Sequence, residues 1–500
     1  MIGDEIGYRI REALGLVPTA DQELAIETFC RFLTDRDDRA VMVMRGSAGT
    51  GKTTLAAAMV KALLSLKQKL VLMAPTGRAA KVFSLYAEQP AYTIHRRIYR
   101  QKSLEGGFEL NFNVMQDTLF MVDEASMIAN GSSELFGTAG SGLLDDLVSF
   151  VYNGRNCRML LIGDRAQLPP VGEEDSPALK GEVWRQFGLR VYECDLNEVL
   201  RQGQQSGILY NATLIRHIGN GFPVSMALLS ESRPPRAQLP KVTFGNFTDI
   251  RSVPGDELIE TLAGSYDKVG MDETIVVTRS NKRANIYNRG IRNQVLGLEE
   301  ELCTGDRLMV VKNNYYWMTR ESRSENLPQS EEAGKELSFI ANGDMCVVRR
   351  VRNVHEQYGF RFAEVTLTFP DYDNYELTAT VLLDTLTSEA PALTRDQQEE
   401  LFQKVMEDYM DIPHKTDRLK KIKEDKYYNA LQIKFAYAAT CHKAQGGQWA
   451  HVYVDQGYMT DDMLNGDYLH WLYTAFTRAT EQLYLVNWPQ AQTAEETTAE

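Results

Sequence analysis

The sequence predicts an α/β protein built from two α/β domains, each carrying a small β insert. Three observations predict it. A glycine-rich loop, Gly46-Ser47-Ala48-Gly49-Thr50-Gly51-Lys52-Thr53-Thr54, joins an apolar β-type segment (40–44) to a run of strong helix formers (55–60). Apolar segments at 40–44, 69–73, 118–122, 159–162 and 190–192 alternate with helical or loop stretches, as in a parallel sheet covered on both faces. A second rhythm follows, at 274–278, 433–438, 450–454 and 482–486, with a helical stretch over 281–292. A block of different character, 305–430, interrupts it.

Taken in order, residues 1–39 read as helical, with Leu24, Ile26, Phe29 and Phe32 at loosely helical spacing. The stretch 96–114 is basic and aromatic around Gly106-Gly107 and reads as a β-hairpin inserted between sheet elements. In the block, 308–311, 345–348 and 363–368 have strand patterns, with turns at Asn313-Asn314 and Asn342-Gly343-Asp344. A charged helical stretch, 395–425, follows, so the block reads as a small β-barrel. The expected division is 1–195 (hairpin insert 95–115), 196–304, the insert 305–430, and 431–500, where the second α/β domain resumes. The polar tail after Trp488 is expected to fray.

Composition sets bounds. At 43% hydrophobic and 24% charged residues the chain suits a soluble globular protein. No apolar run approaches ~18 residues, so no membrane span or membrane partner is expected. The N-terminus lacks a basic region followed by an apolar one, the pattern of a secretory signal. The six cysteines are scattered and form no C-x-x-C, which points to reduced thiols in the cytoplasm, away from zinc or disulfides. The net charge of −14 gives no support to a basic nucleic-acid binder, but a basic groove can sit on an acidic protein, so the motifs must decide.

The loop fits G-x-x-x-x-G-K-[ST] in its required strand–loop–helix context. Its glycines let backbone N–H groups turn inward, the helix dipole favours anions, Lys52 reaches β/γ-phosphates and Thr53 holds Mg²⁺. Asp123 and Glu124 close the apolar strand 118–122. One carboxylate suits the Mg²⁺ shell and the second orients or deprotonates an attacking water, whereas an acidic helix cap is the plain alternative. Gln167 lies in a second strand exit, Gly163–Gly172, where ligands of parallel sheets gather. Arg201 and Arg478 sit in Leu196–Gln202 and Leu472–Ala479. A guanidinium supplied by a second domain stabilises charge on γ-oxygens, although a surface ion pair explains most single arginines.

Together with Ala74–Ala80, Val122–Ser126 and Ala439–Trp449, these segments resemble, in order, the seven motifs of superfamily 1 helicases. The likeness is to the RecD-like and Dda-like branch, which moves 5′→3′ on single-stranded DNA, and it covers residues 15–488. It implies two RecA-like P-loop NTPase domains, ATP with Mg²⁺, and an SH3-like barrel in the insert. It implies that Gln22 reads adenine and that Gly46, Ser47, Ala48, Gly49, Thr50, Gly51, Lys52, Thr53 and Thr54 hold phosphate. Thr53 and Asp123 match the Mg²⁺ positions, and Glu124 matches water activation. Gln167, Arg201 and Arg478 match γ-phosphate sensors, and Gln445 a residue facing the nucleotide cleft. Thr76, Thr93, His95, Thr440 and His442 resemble residues near the DNA strand, although a packed or capping role competes for both histidines. Cys441 and Trp449 depart from the branch, which commonly has a β-branched residue and a smaller aromatic there.

The expectation is a monomeric ATP-driven helicase that opens forked or tailed duplex DNA from a single-stranded tail. Tyr99, Phe108 and Phe112 of the hairpin either form the core of the two-stranded ribbon or, because such a ribbon is barely stable alone, leave one exposed aromatic to stack on or wedge between bases. RNA is an alternative track, because contacts to backbone and base faces discriminate poorly. A translocase that strips proteins from nucleic acid fits the same motifs, and a nucleotide-dependent binding switch fits the phosphate loop alone.

Overall fold

The computed structural model describes residues 2–101, 108–131, 142–199, 205–220, 240–245, 247–314, 316–318, 340–460 and 463–494. Two helices open the chain, α1 (Ile2–Leu14) and α2 (Ala20–Thr34). Helix α2 begins in a capping box: Thr19 accepts from the Gln22 amide at 3.3 Å and Gln22 Oε1 accepts from the Thr19 amide at 3.1 Å.

The first sheet contains β1 (Ala40–Gly46), β2 (Lys69–Ala74) and β3 (Ala91–Thr93). A two-stranded ribbon, β4 (Tyr99–Gln101) and β5 (Phe108–Leu110), precedes its β6 (Thr118–Val122), β7 (Arg158–Gly163) and β8 (Arg190–Leu196). All pairings are parallel, in the order β3-β2-β6-β7-β1-β8. Strand β1 is buried throughout because both faces are covered. Ala40, Met42 and Met44 pack with Phe29 and Phe32 of α2 and with the helix α3 (Lys52–Ser65). Val41 and Val43 pack on the other face, beside the helix Leu143–Asn153. Truncating Phe29 to Ala would cost about 3–5 kcal/mol of this packing.

The second sheet contains β9 (Ile250–Val253) and β10 (Thr274–Thr278). Between β10 and its neighbours in space lie β11 (Arg307–Val310), β12 (Met345–Gln357), β13 (Phe360–Phe369), β14 (Tyr375–Leu382) and β15 (Leu431–Phe435). The sheet resumes with β16 (Ala438–Thr440), β17 (Trp449–Asp455) and β18 (Ala479–Val486), in the parallel order β16-β10-β17-β18-β9. Both parallel sheets have the RecA-like layout, and β11 to β15 close into a five-stranded barrel.

The stretch expected as one strand over 433–438 is two. Leu431–Phe435 closes the barrel by pairing antiparallel with β11, and only Ala436 and Tyr437 separate it from β16. Tyr437 is buried; its hydroxyl donates to Asp306 at 2.9 Å and its carbonyl accepts from the Val276 amide at 3.0 Å. The expected helical stretch 395–425 is likewise two helices, Arg395–Glu407 and Lys415–Lys423. The hairpin pairs Tyr99 with Leu110 and Gln101 with Phe108; its tip, 102–107, lies outside the described residues.

The barrel also touches the first lobe. Helix α4 (Gly77–Ala87) follows β2, and a Cβ at Gly77 would stand 2.6 Å from the Tyr372 hydroxyl and 2.7 Å from Asp344 Oδ1. Only glycine admits that approach. Lys81 of α4 pairs with Asp371 at 3.0 Å beside it.

Candidate nucleotide site and nucleic-acid face

Strand β1 delivers Gly46 to the carboxyl edge of the first sheet, and α3 starts at Lys52. Gly49 and Gly51 hold φ of +77° and +78°, the left-handed conformation that glycine adopts at no steric cost. A Cβ at Gly49 would also lie 3.2 Å from Leu209, so the loop passes close under the helix Gly207–Asn220. No side chain caps the α3 N-terminus. Its first amides therefore point at whatever the loop encloses, the arrangement that suits a phosphate.

Strand β6 ends at Asp123 and Glu124, also at the carboxyl edge. Asp123 Oδ1 accepts from the Glu124 amide at 2.9 Å. Burial first, then the Glu124 charge, pushes the Asp123 carboxyl up to about 7. Glu124 holds φ +51°, a strained conformation for a side-chain-bearing residue that turns the chain sharply out of the sheet. Two acids held side by side, both half-buried, suit a divalent cation.

Strand β7 ends before Asp164. One oxygen of Asp164 accepts from the Ala166 amide at 2.9 Å; the other lies 3.8 Å from Lys52 Nζ and accepts from the Tyr473 hydroxyl at 2.6 Å. Lys52 also donates to the Ser47 carbonyl at 2.9 Å. Tyr473 belongs to the helix Gly466–Phe476 of the second lobe, and its oxygen accepts from the Ala48 amide of the loop at 2.7 Å. The same helix accepts the Leu168 amide on Thr474 Oγ1 at 2.7 Å and sends His470 Nδ1 to the Ala166 carbonyl at 2.9 Å. The two lobes thus meet over the phosphate loop.

Gln22 is buried, and its Nε2 donates to the Thr50 carbonyl at 3.1 Å, tying α2 to the loop. Gln167 and Gln445 face each other: Gln445 Nε2 lies 3.4 Å from Gln167 Oε1 and donates to the Leu168 carbonyl at 2.8 Å. Arg478 is 2% exposed. It donates to the carbonyls of Thr474 at 3.0 Å and Gly447 at 2.9 Å and to the Thr477 hydroxyl at 3.2 Å, with no ion pair to a carboxylate among the described residues. Arg201 lies outside the described residues. The segment leading to it is held by Asp21 Oδ2, which accepts from the amides of Asn197 at 2.7 Å and Glu198 at 3.1 Å.

Residues 19–221 match an AAA domain model, and residues 435–486 match a UvrD-like helicase C-terminal domain model. The chain belongs to the superfamily 1 helicases of RecD and Dda type. It is 33% identical over 137 residues to the ATP-dependent RecD2 DNA helicase of Deinococcus radiodurans, a match covering 26% of this chain and 16% of that relative's length. It is 23% identical over 350 residues to the ATP-dependent DNA helicase dda of Enterobacteria phage T4, covering 67% of this chain and 70% of that one. Among solved structures, Bacteroides Pif1 bound to single-stranded DNA aligns over 96% of this chain and 95% of its own, at 14% identity and a TM-score of 0.43.

The expected DNA-facing residues of this superfamily 1 chain follow the outer strands. Thr76 follows β2 and caps α4 by accepting from the Ala79 amide at 3.2 Å. Thr93 ends β3 and caps the helix Ile94–Ile98 through the Arg96 amide at 3.3 Å. Burial pushes the His95 imidazole down to about 4, so it carries no charge at neutral pH. Thr440 ends β16 with no cap hydrogen bond from its side chain, and His442, two residues on, is exposed. Gly446, four residues beyond His442, lies against Thr76: a Cβ there would stand 3.2 Å from Thr76 Oγ1.

Sequence reasoning assigned no role to two residues at the loop. Tyr473 stood inside a quoted motif, but only its arginine carried an expected role. Arg216 donates to the Ser47 hydroxyl from the helix Gly207–Asn220, and it fits no motif. Its one trace in the sequence is a cation inside the largely apolar run Ala212–Ile218.

Proposed function

We propose that this protein is an ATP-dependent DNA helicase, a monomeric motor that moves 5′→3′ along single-stranded DNA and separates the strands of forked or tailed duplex. One observation carries the reading: the helix that leads to Arg478 is anchored on the phosphate loop by Tyr473, at 2.7 Å from the Ala48 amide. A nucleotide held there is gripped by both lobes, so its turnover changes how they sit against each other. The two named relatives are ATP-dependent DNA helicases, which supports the same activity here.

In this reading 1–195 is one motor domain, 196–304 with 431–500 the other, and 95–115 and 305–430 are inserts. The loop amides and Lys52 bind the phosphates. Thr53 and Asp123 would hold Mg²⁺, which supplies charge neutralisation at the phosphates. Glu124 orients the attacking water, and Gln167, Arg201 and Arg478 read the γ-phosphate. Thr76, Thr93, Thr440 and His442 face the strand.

Two measurements test this. ATP turnover should rise with single-stranded DNA more than with duplex DNA or RNA, and Lys52→Ala should abolish it. A duplex with a 5′ tail should be opened and one with only a 3′ tail should not. Turnover indifferent to nucleic acid refutes the motor, and opening from the 3′ tail refutes the direction.

A further inference from the structure

Two cations converge on Ser47. Lys52 Nζ donates to its carbonyl at 2.9 Å, and the Arg216 guanidinium donates to its hydroxyl. Arg216 belongs to the second lobe: its helix, Gly207–Asn220, packs Ile208, Ala212 and Ile215 into that lobe's core with Leu472 and Phe476. The side chain is 9% exposed and makes no ion pair with a carboxylate among the described residues. Its guanidinium bonds one neutral hydroxyl, that of Ser47, among the described residues, and an anion beside it would add charge-assisted hydrogen bonds. Lys52 marks where such an anion lies, because the lysine of this loop reaches the β/γ-phosphates. A second cation bonded to the same residue sits at the same end of the nucleotide.

We propose that Arg216 is a phosphate-binding residue of the second lobe that reads the terminal phosphate of a bound nucleoside triphosphate. The inference rests on the reading of Gly46–Thr54 as the nucleotide site. It differs from the role given to Arg478, whose three bonds stay within its own lobe. Arg216 already spans the junction. It therefore favours triphosphate over diphosphate, and it slackens its hold on the loop when the terminal phosphate leaves.

The test is equilibrium binding of fluorescent ADP and of a fluorescent non-hydrolysable ATP analogue to the full chain. Arg216→Ala should weaken the triphosphate roughly tenfold or more while leaving the diphosphate within about threefold, with Arg216→Lys in between. Arg216→Gln keeps a donor for Ser47 without the charge; it should show the same selective loss and serves if the alanine variant does not fold. Equal weakening of both nucleotides overturns the role while leaving the nucleotide site standing. So does a Ser47→Ala variant that reproduces the whole selective loss, for then Arg216 acts only by holding the loop. A wild-type chain that binds neither nucleotide overturns the site and this role together.

Discussion

Tyr473 and Asp164 share a 2.6 Å hydrogen bond across the junction of the two α/β lobes, and the same tyrosine oxygen accepts from the Ala48 amide. Burial beside the Asp164 carboxylate holds the phenol well above its ordinary range, so it stays a donor. Tyr473→Phe keeps the ring packing and deletes both bonds. A buried donor left without a partner costs about 1–3 kcal/mol. The thermal midpoint should fall, and maximal ATP turnover should drop more than ATP affinity. Unchanged stability together with unchanged turnover would sink the cross-lobe anchor.

Glu124→Gln should bind ATP and hydrolyse it very slowly. The amide keeps the size and loses the carboxylate that orients water. Loss of nucleotide binding with normal single-turnover chemistry in the residual complex would show that the roles of Asp123 and Glu124 are misassigned.

Arg478→Ala should lower the catalytic rate far more than ATP affinity. A guanidinium aimed at the transferred phosphoryl group is worth roughly 10³–10⁵ in rate in the strongest cases. Because this arginine also bonds the carbonyls of Thr474 and Gly447, the variant's melting should be compared with that of Arg478→Lys. A fall in affinity with normal turnover would make Arg478 a structural brace.

Asp344 gives a pH test at the barrel–α4 contact. Burial pushes its carboxyl up to about 7, although the Ala341 amide, at 2.7 Å, and the Tyr372 hydroxyl, at 2.8 Å, bond it. Unfolded, the group titrates near ~3.9. Between these values the native state holds a proton that the unfolded chain has released, so this group lowers stability as pH rises from about 4 to about 7. Asp344→Asn removes the titration. Its melting temperature relative to wild type should shift in its favour between pH 5 and pH 8, and a pH-independent difference would refute the assignment.

The strands that were legible in the sequence are those buried on both faces. Ile275–Val277 within Thr274–Thr278 and Leu119–Val122 within Thr118–Val122 are short unbroken apolar runs, the signature of a central parallel strand. Tyr375–Leu382 was not legible: Thr and Glu alternate with apolar residues because one face of the barrel meets solvent. Ile250–Val253 was missed because two of its four residues are exposed at a sheet edge. The site splits in the same way. Lys52, Asp123 and Glu124 lie on contiguous motifs whose spacing is local. Arg216 and Tyr473 reach the loop only after two lobes have docked, and no spacing along the chain encodes that meeting.

The two-residue splice between β15 and β16 has a mechanical consequence. The barrel's closing strand and the strand that presents Thr440 are one nearly continuous tether, joined at Ala436 and Tyr437, which are both buried and therefore offer no slack. Tyr437 rivets the joint on both sides, to Asp306 at the foot of the barrel and to Val276 in the sheet. A pull on the barrel is thus delivered as displacement of the Thr440–Gln445 segment rather than absorbed as loop flexing, so drag on the barrel registers as tension beside Gln167.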